Sequence, residues 1–296
     1  ITNAFPRLAN RTELPDNAVD AHAMAAGDIN GDGLDDILIG NWFGSTGSPV
    51  ILQQQSDGRF SLKNDPFLER LLSAPMVNPK SESNEGNNLL LDLHLADING
   101  DKFADLIAGF GHGATPSLLF INRNGRYNFD ERIAFPPSIY GIDTNLHLET
   151  RSLDIDNDGD IDLFLANVIT TSFLFINTNP SSLTFTRPSS PTNYGINPAG
   201  DADGAAWIDY DNDGDLDLYV GMSSTSNQMW QNSTNNSNYL KVYANWNYGG
   251  GLTASASGAL AEVLDCSGNR ISPIMTLGAG EGFGASGAPC FHFGVA

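Results

Sequence analysis

The chain has 296 residues, 41% of them hydrophobic, enough for one large or two small domains with a sizeable core. Asp and Glu number 35 against 14 Lys and Arg, a formal charge of −21 that argues against a binder of nucleic-acid phosphates, which needs basic patches. No run of eighteen apolar residues reads as a membrane-spanning helix.

The first residues carry no basic, apolar and small-residue leader pattern, so Ile1 reads as a processed end or a cut boundary. A small, apolar run at 23–27 then enters the Asp/Asn/Gly loop DINGDGLDD at 28–36. Strand-like runs at 37–39 and 50–52, a turn at 56–58 and Phe60 follow. Residues 67–72 are the nearest approach to a helical pattern, and Pro75 cuts it off. The Pro-, Ser-, Asn- and Glu-rich stretch 73–88 reads as a long loop rather than a hidden repeat.

The same order then returns three times. DINGDKFAD (97–105) precedes runs at 106–108 and 118–121, a turn at 122–125 and Phe129. DIDNDGDID (154–162) precedes runs at 163–165 and 173–176, a turn at 177–180 and Phe185. DYDNDGDLD (209–217) precedes runs at 218–220 and 228–231 and an Asn-rich turn. The loops begin at 28, 97, 154 and 209, intervals of 69, 57 and 55 residues. Strand, acidic loop, strand, turn, strand, turn, strand is the order of a propeller blade. The expectation is an all-β, β-propeller-like array of about four blades over 1–238, with repeats around 20–72, 89–145, 146–200 and 201–238. A linear or sandwich-like stack of the same units is the alternative.

The loops carry explicit chemistry. Carboxylates at positions 1, 3 and 5 of a tight turn converge, and position 9 closes the shell from the other side. Such oxygen density suits a hard cation with six to eight ligands, Ca²⁺. The expected ligands are Asp28, Asn30, Asp32 and Asp36 in loop one and Asp97, Asn99, Asp101 and Asp105 in loop two. Loop three offers Asp154, Asp156, Asp158 and Asp162, and loop four Asp209, Asp211, Asp213 and Asp217. A backbone carbonyl at position 7 and water would complete each shell. Asp35 at position 8 and Asp160 and Asp215 at position 7 are expected to point outward. Gly at position 6 permits the sharp turn, so Lys102 there should strain loop two and make it the weakest. An EF-hand would need Glu at position 12, where Ile39, Ala108, Leu165 and Val220 stand. Four Ca²⁺ would take the formal charge from −21 to −13.

The segments AGDINGDG (26–33) and DILIG (36–40), with their counterparts, resemble the FG-GAP/VCBS repeats of integrin-alpha-type propellers. The resemblance covers roughly 20–235. It implies calcium in the loops and a carbohydrate-binding, adhesive or scaffold role. From Tyr239 the chain changes character: YLKVYA (239–244), a Gly/Ala/Ser-rich stretch, ALAEVLDC (259–266) and GAGEGFGASGAPCFHFG (278–294). These residues are similar to the C-terminal domain of the cartilage acidic protein/UnbV family, which commonly follows such repeats. Residues 239–296 are therefore expected to form a small β domain or to complete the last blade. An even pair, Cys266 and Cys290, suggests a disulfide in an extracellular β domain. Sequons stand at Asn10, Asn232 and Asn235, about as many as chance gives in so Asn-rich a chain.

His22, His94, His112, His147 and His292 are scattered, and none has Cys/His ligand spacing. His94 reads as a packed strand position. Ser286 lacks the Gly-x-Ser-x-Gly frame of a nucleophile elbow, and the glycines at 278–284 lack the Gly-Lys-Ser/Thr ending of a phosphate loop. Seventeen of the 35 carboxylates stand in the loops, which leaves fewer for a glycosidase pair. The expected function is therefore non-enzymatic: an extracellular or cell-surface calcium-binding protein with a structural, adhesive or self-assembly role. Its partner would be a protein or glycan surface, or copies of itself. The alternative is a lectin-like propeller, for which Trp42, in a Gly-rich loop, is the best exposed aromatic. Trp207 reads as core, and Trp230 and Trp246 are further candidates.

Overall fold

Short apolar runs separated by Asp/Asn/Gly turns fold back on themselves as antiparallel meanders. The computed structural model describes residues 21–41, 50–63, 89–111, 118–125, 127–134, 147–167, 172–188, 201–234, 236–247, 253–255, 259–277 and 290–295. The first sheet runs β1 (Ala21–Gly27), β2 (Asp36–Asn41), β3 (Val50–Gln54), β4 (Phe60–Lys63), in that spatial order. The second runs β5 (Leu89–Ala96), β6 (Asp105–Gly111), β7 (Leu118–Asn122), β8 (Tyr127–Ala134). The third holds β9 (His147–Leu153), β10 (Asp162–Asn167), β11 (Phe173–Asn179) and β12 (Thr184–Thr186). In the fourth, β13 (Ala202–Ile208), β14 (Asp217–Met222) and β15 (Gln228–Trp230) follow one another.

The acidic loops are the first hairpin turn of every sheet. Gly27 pairs with Asp36, Ala96 with Asp105, Leu153 with Asp162 and Ile208 with Asp217, so the last Asp of each loop is always the first residue of the second strand. Each of these strand pairs also carries a register shift at its far end, which deepens the local twist.

The sheets pack face to face in chain order, with β1 against β5, β5 against β9 and β9 against β13. Leu38, Leu93, Leu106 and Phe120 fill the space between sheets one and two. Ile107, Leu119, Leu163 and Phe175 fill the next, and Phe164, Leu174, Trp207 and Leu218 the third. Neighbouring residues of β6, β7, β10 and β11 thus serve different cores, which is why β7 and β10 are buried along their whole length. This all-β, propeller-like succession is what the blade order predicts. Two buried carboxylates also tie first strands together. Asp92 accepts the Thr150 N–H at 2.8 Å, and Glu149, five residues before its own loop as Asp92 is, accepts the Ala205 N–H at 2.7 Å. Arg151 is ion-paired with Glu149 and donates to the Ala205 carbonyl at 2.9 Å.

Among the described residues, the C-terminal segment holds three two-stranded pairs. β16 (Tyr239–Val242) pairs with β21 (Phe291–Gly294), β17 (Asn245–Asn247) with β18 (Thr253–Ser255) and β19 (Leu260–Ala261) with β20 (Met275–Thr276). β16 takes β21 rather than β15 as its partner, so it does not extend the fourth blade. Leu277, Phe291 and Phe293 make a small core of their own. The expected disulfide does not form. Cys266 is exposed in a turn built on Asp265, Cys290 is half-buried just before β21, and both are free thiols.

Candidate metal centre

All four loops share one backbone path. Position 4 is left-handed in each, at Gly31 (φ 77°), Gly100 (73°), Asn157 (56°) and Asn212 (63°). Position 6 is left-handed too, at Gly33 (82°), Lys102 (87°), Gly159 (93°) and Gly214 (98°). Gly and Asn are the residues that tolerate this region, so Lys102 sits where a side chain is strained, as expected.

The two left-handed turns aim backbone N–H groups inward at the loop's own side chains. The position-6 N–H donates to Oδ2 of the position-1 Asp in every loop: 2.7 Å to Asp28, 3.1 Å to Asp97, 2.9 Å to Asp154 and 2.9 Å to Asp209. The position-7 N–H donates to Oδ1 of Asp32, Asp101, Asp158 and Asp213. The position-9 Asp is a staple as well. Asp105, Asp162 and Asp217 each accept the position-2 N–H on Oδ2. Asp36, Asp105, Asp162 and Asp217 accept on Oδ1 the N–H of Gln54, Asn122, Asn177 and Asn232, all within two residues of the end of the third strand.

The carboxylates converge unequally. Asp154, Asp156 and Asp162 place one oxygen each within 4.8 Å of the others, and so do Asp209, Asp211 and Asp217. Among the described residues these are the two groups of three that come together, and Asp158 and Asp213 stay outside them. Loops one and two have Asn at position 3. There the amide turns to its neighbour, Asn30 Nδ2 to Asp32 Oδ2 at 3.0 Å and Asn99 Nδ2 to Asp101 Oδ2 at 3.1 Å. Asp28 and Asp36, like Asp97 and Asp105, keep their places in the shared backbone path.

Burial and mutual repulsion load these groups. Burial, then the charges of Asp101 and Asp97, pushes Asp105 up to about 8. Burial, with Asp158 and Asp156 nearby, pushes Asp154 to about 7, and Asp162 is held well above the ordinary range by burial and Asp156. Burial raises Asp36 and Asp217 to about 6. A cation among them offsets both effects. The donor set fits one: it is all oxygen, and Asp97 Oδ1 and Asp209 Oδ1 are buried without a hydrogen-bond partner, although Oδ2 of each is fully engaged.

Three asparagines escaped the sequence reading, which took them for turn residues. Asn122 Nδ2 donates to Ile29 O at 2.7 Å, Asn177 Nδ2 to Ile98 O at 3.2 Å and Asn232 Nδ2 to Ile155 O at 2.7 Å. Each also reaches position 8 of its own loop, at Ala104, Ile161 and Leu216. Every such Asn therefore ties one loop to the loop of the preceding blade. Their recurrence at the end of the third strand was the available signal. Asn232 heads a sequon, yet it is fully buried with its amide in use, so in the folded chain it offers no glycan acceptor. Asp215 also departs from expectation: it is buried and accepts Asn157 Nδ2 at 3.0 Å.

The other singled-out residues fall outside the loops. Trp207 is core, edge-on to Phe164, and Trp230 is half-buried with Nε1 on Gln228. His94 is packed in β5, 2.9 Å from Ser152 Oγ. Trp42, His112, Ser286, Asn10, Asn235 and the glycines of 278–284 lie outside the described residues, as do the side chains of His22, His147 and Trp246.

The FG-GAP-like repeat family matches residues 28–108 and 154–220, half of the chain, with each stretch holding two of the four loops. The chain belongs to the FG-GAP-like repeat family. The acidic hairpin turns are therefore FG-GAP loops, and the matched residues end before the C-terminal strand pairs. No curated protein matches the chain. The crystal structure of the V. cholerae biofilm matrix protein Bap1 aligns with 85% of this chain at 16% identity and a TM-score of 0.35, and the chain spans 38% of that protein's length.

Proposed function

We propose that this chain is an extracellular, non-catalytic calcium-binding repeat protein with a structural or adhesive role. The observation that carries the calcium reading is the buried, unpartnered Oδ1 of the position-1 Asp at Asp97 and Asp209, in loops whose other donors are already oriented by backbone N–H groups. Loops three and four add three convergent carboxylates each. Bound Ca²⁺ would neutralise them and contribute its binding free energy to folding. Asp154, Asp156 and Asp162, and Asp209, Asp211 and Asp217, would hold the ions most firmly, with Asp158 and Asp213 completing the shells. Asp28, Asn30, Asp32 and Asp36, and Asp97, Asn99, Asp101 and Asp105, form the weaker pair of sites.

The adhesive or scaffold role is supported by family membership, and by the commitment of these carboxylates to folding rather than to acid–base chemistry. Its partners would be protein surfaces or copies of the chain, and residues 239–296 would be a UnbV-like module. Thermal melting with chelator and with millimolar Ca²⁺ tests the first half: Ca²⁺ should raise the midpoint, and an unchanged midpoint defeats the calcium reading. Sedimentation with and without Ca²⁺ tests self-assembly.

A further inference from the structure

The C-terminal strand pairs lie against the FG-GAP loops, and their contacts select one part of each. Arg270 donates to Asp97 Oδ2 at 3.0 Å and to the Gly100 carbonyl, positions 1 and 4 of loop two. Lys241 on β16 is ion-paired with Asp209 Oδ2, position 1 of loop four. His292 on β21 bonds through Nε2 to the Gly214 carbonyl at 2.8 Å, position 6 of the same loop. A carbonyl only accepts, so Nε2 carries the proton. Tyr239 stacks on His292 with ring centroids 5.6 Å apart, and it lies so close to Gly214 that a Cβ there would overlap the ring. In loop three, a Cβ on Gly294 would collide with Asp154 Oδ2 and the Asn157 backbone.

The choice of oxygen matters. At Asp97 and Asp209, Oδ2 is the oxygen already bound to the position-6 N–H, and Oδ1 is the buried, unpartnered one; Asp154 Oδ1 in loop three accepts the Asp158 N–H at 3.1 Å. Lys241 and Arg270 therefore do not occupy the place of a cation. They hold Oδ2 and leave Oδ1 buried and without a hydrogen-bond partner. Both side chains are themselves largely covered, with 17% and 11% of their surface exposed.

We propose that β16, β21 and Arg270 act as a clamp that preorganises loops two and four for the ion, so that clamp docking and Ca²⁺ binding strengthen each other. The proposal rests on the calcium reading above. An Asp whose Oδ2 is fixed by a cation and a backbone N–H has one rotamer left, and Ca²⁺ no longer has to select it. Linkage makes the effect reciprocal: an ion that rigidifies the loops must also tighten the clamp.

Two measurements on the full chain test this. In calorimetric titration with CaCl₂, Lys241→Met and Arg270→Met should each weaken Ca²⁺ binding threefold or more, while Lys241→Arg restores it. In the unmutated chain, Ca²⁺ should slow amide exchange in β16 and β21 as well as in the loops, a readout that needs no variant to fold. Unchanged affinity in both Met variants, or exchange in β16 and β21 indifferent to Ca²⁺, overturns the clamp and leaves the calcium reading standing. Tighter binding in the variants also overturns it, because Lys241 and Arg270 would then be competitors of the ion. A wild-type chain that takes up no Ca²⁺ at all overturns both.

Discussion

Lys102 is the residue at which loop two departs from its three relatives. It holds a left-handed φ of 87° that its counterparts meet with glycine. Such a conformation costs a non-glycine residue about 1–3 kcal/mol, part of which glycine returns through its freer unfolded chain. Lys102→Gly should therefore raise stability by about 1 kcal/mol in chemical denaturation and tighten Ca²⁺ at loop two, since it also removes a positive charge. Asn177 is a second point of leverage. Its amide serves Ile98 O in the preceding loop and Ile161 O in its own, and both lie in the interior. Asn177→Ala leaves two buried carbonyls short of a donor and should cost about 2–4 kcal/mol by urea unfolding, against a far smaller cost at an exposed turn asparagine. A loss under about 1 kcal/mol would mean that the asparagine ladder is a by-product of packing.

Between strands, the buried carboxylate of Asp92 joins β5 to β9. Burial pushes it up to about 6, against the hydrogen bonds from Thr150 and the charge of Arg151, which lower it. The folded form thus holds this proton more tightly than the unfolded chain does. The stability it contributes is complete below the unfolded carboxylate range near pH ~4 and is lost as pH rises through about 6. Asp92→Asn keeps an acceptor for the Thr150 N–H and has no charge to bury. Its stability relative to wild type should improve between about pH 4 and pH 7, and a flat difference across that window would show that Asp92 keeps its ordinary affinity for the proton. The neighbouring Glu149 has its own cation in Arg151, so the two strand junctions are built on the same position but different chemistry.

Across the whole molecule, a formal charge of −21 sits largely in hairpin turns that the asparagines draw together. In chelator, repulsion between loops adds to repulsion within them. Salt screens charges over about 10 Å at 0.1 M and about 3 Å at 1 M. The chelated protein should therefore melt at a markedly higher temperature in about 1 M NaCl than in about 0.1 M, while the Ca²⁺-loaded protein should respond little. Equal salt responses in the two states would mean that the ions do not neutralise the loops. Stacked blades share cores in chain order, so loss of one loop's ion should be felt by its neighbours through Asn122, Asn177 and Asn232 rather than by a single blade alone.

The loops and the blade order were legible in the sequence because both are local. Nine consecutive residues determine the left-handed turns at positions 4 and 6, and the apolar runs that flank them can only pair with their immediate neighbours. What joins the repeats was not legible. The partners of Asn177 and Asn232 in the preceding loops lie 79 and 77 residues away, and that of Arg270 on loop two lies 173 residues away. Asp215 looked like an outward-facing loop residue until the neighbouring loop's Asn157 covered it, and an even cysteine pair looked like a bridge until the fold set one thiol in an exposed turn and the other ahead of β21. Local spacing carries the turn and its ligands, because a hairpin is closed by adjacent residues. The loop's own position-6 N–H selects Oδ2 of the first aspartate, but the cations that cover that oxygen at Asp97 and Asp209 arrive only when the tertiary structure brings Arg270 and Lys241 to it.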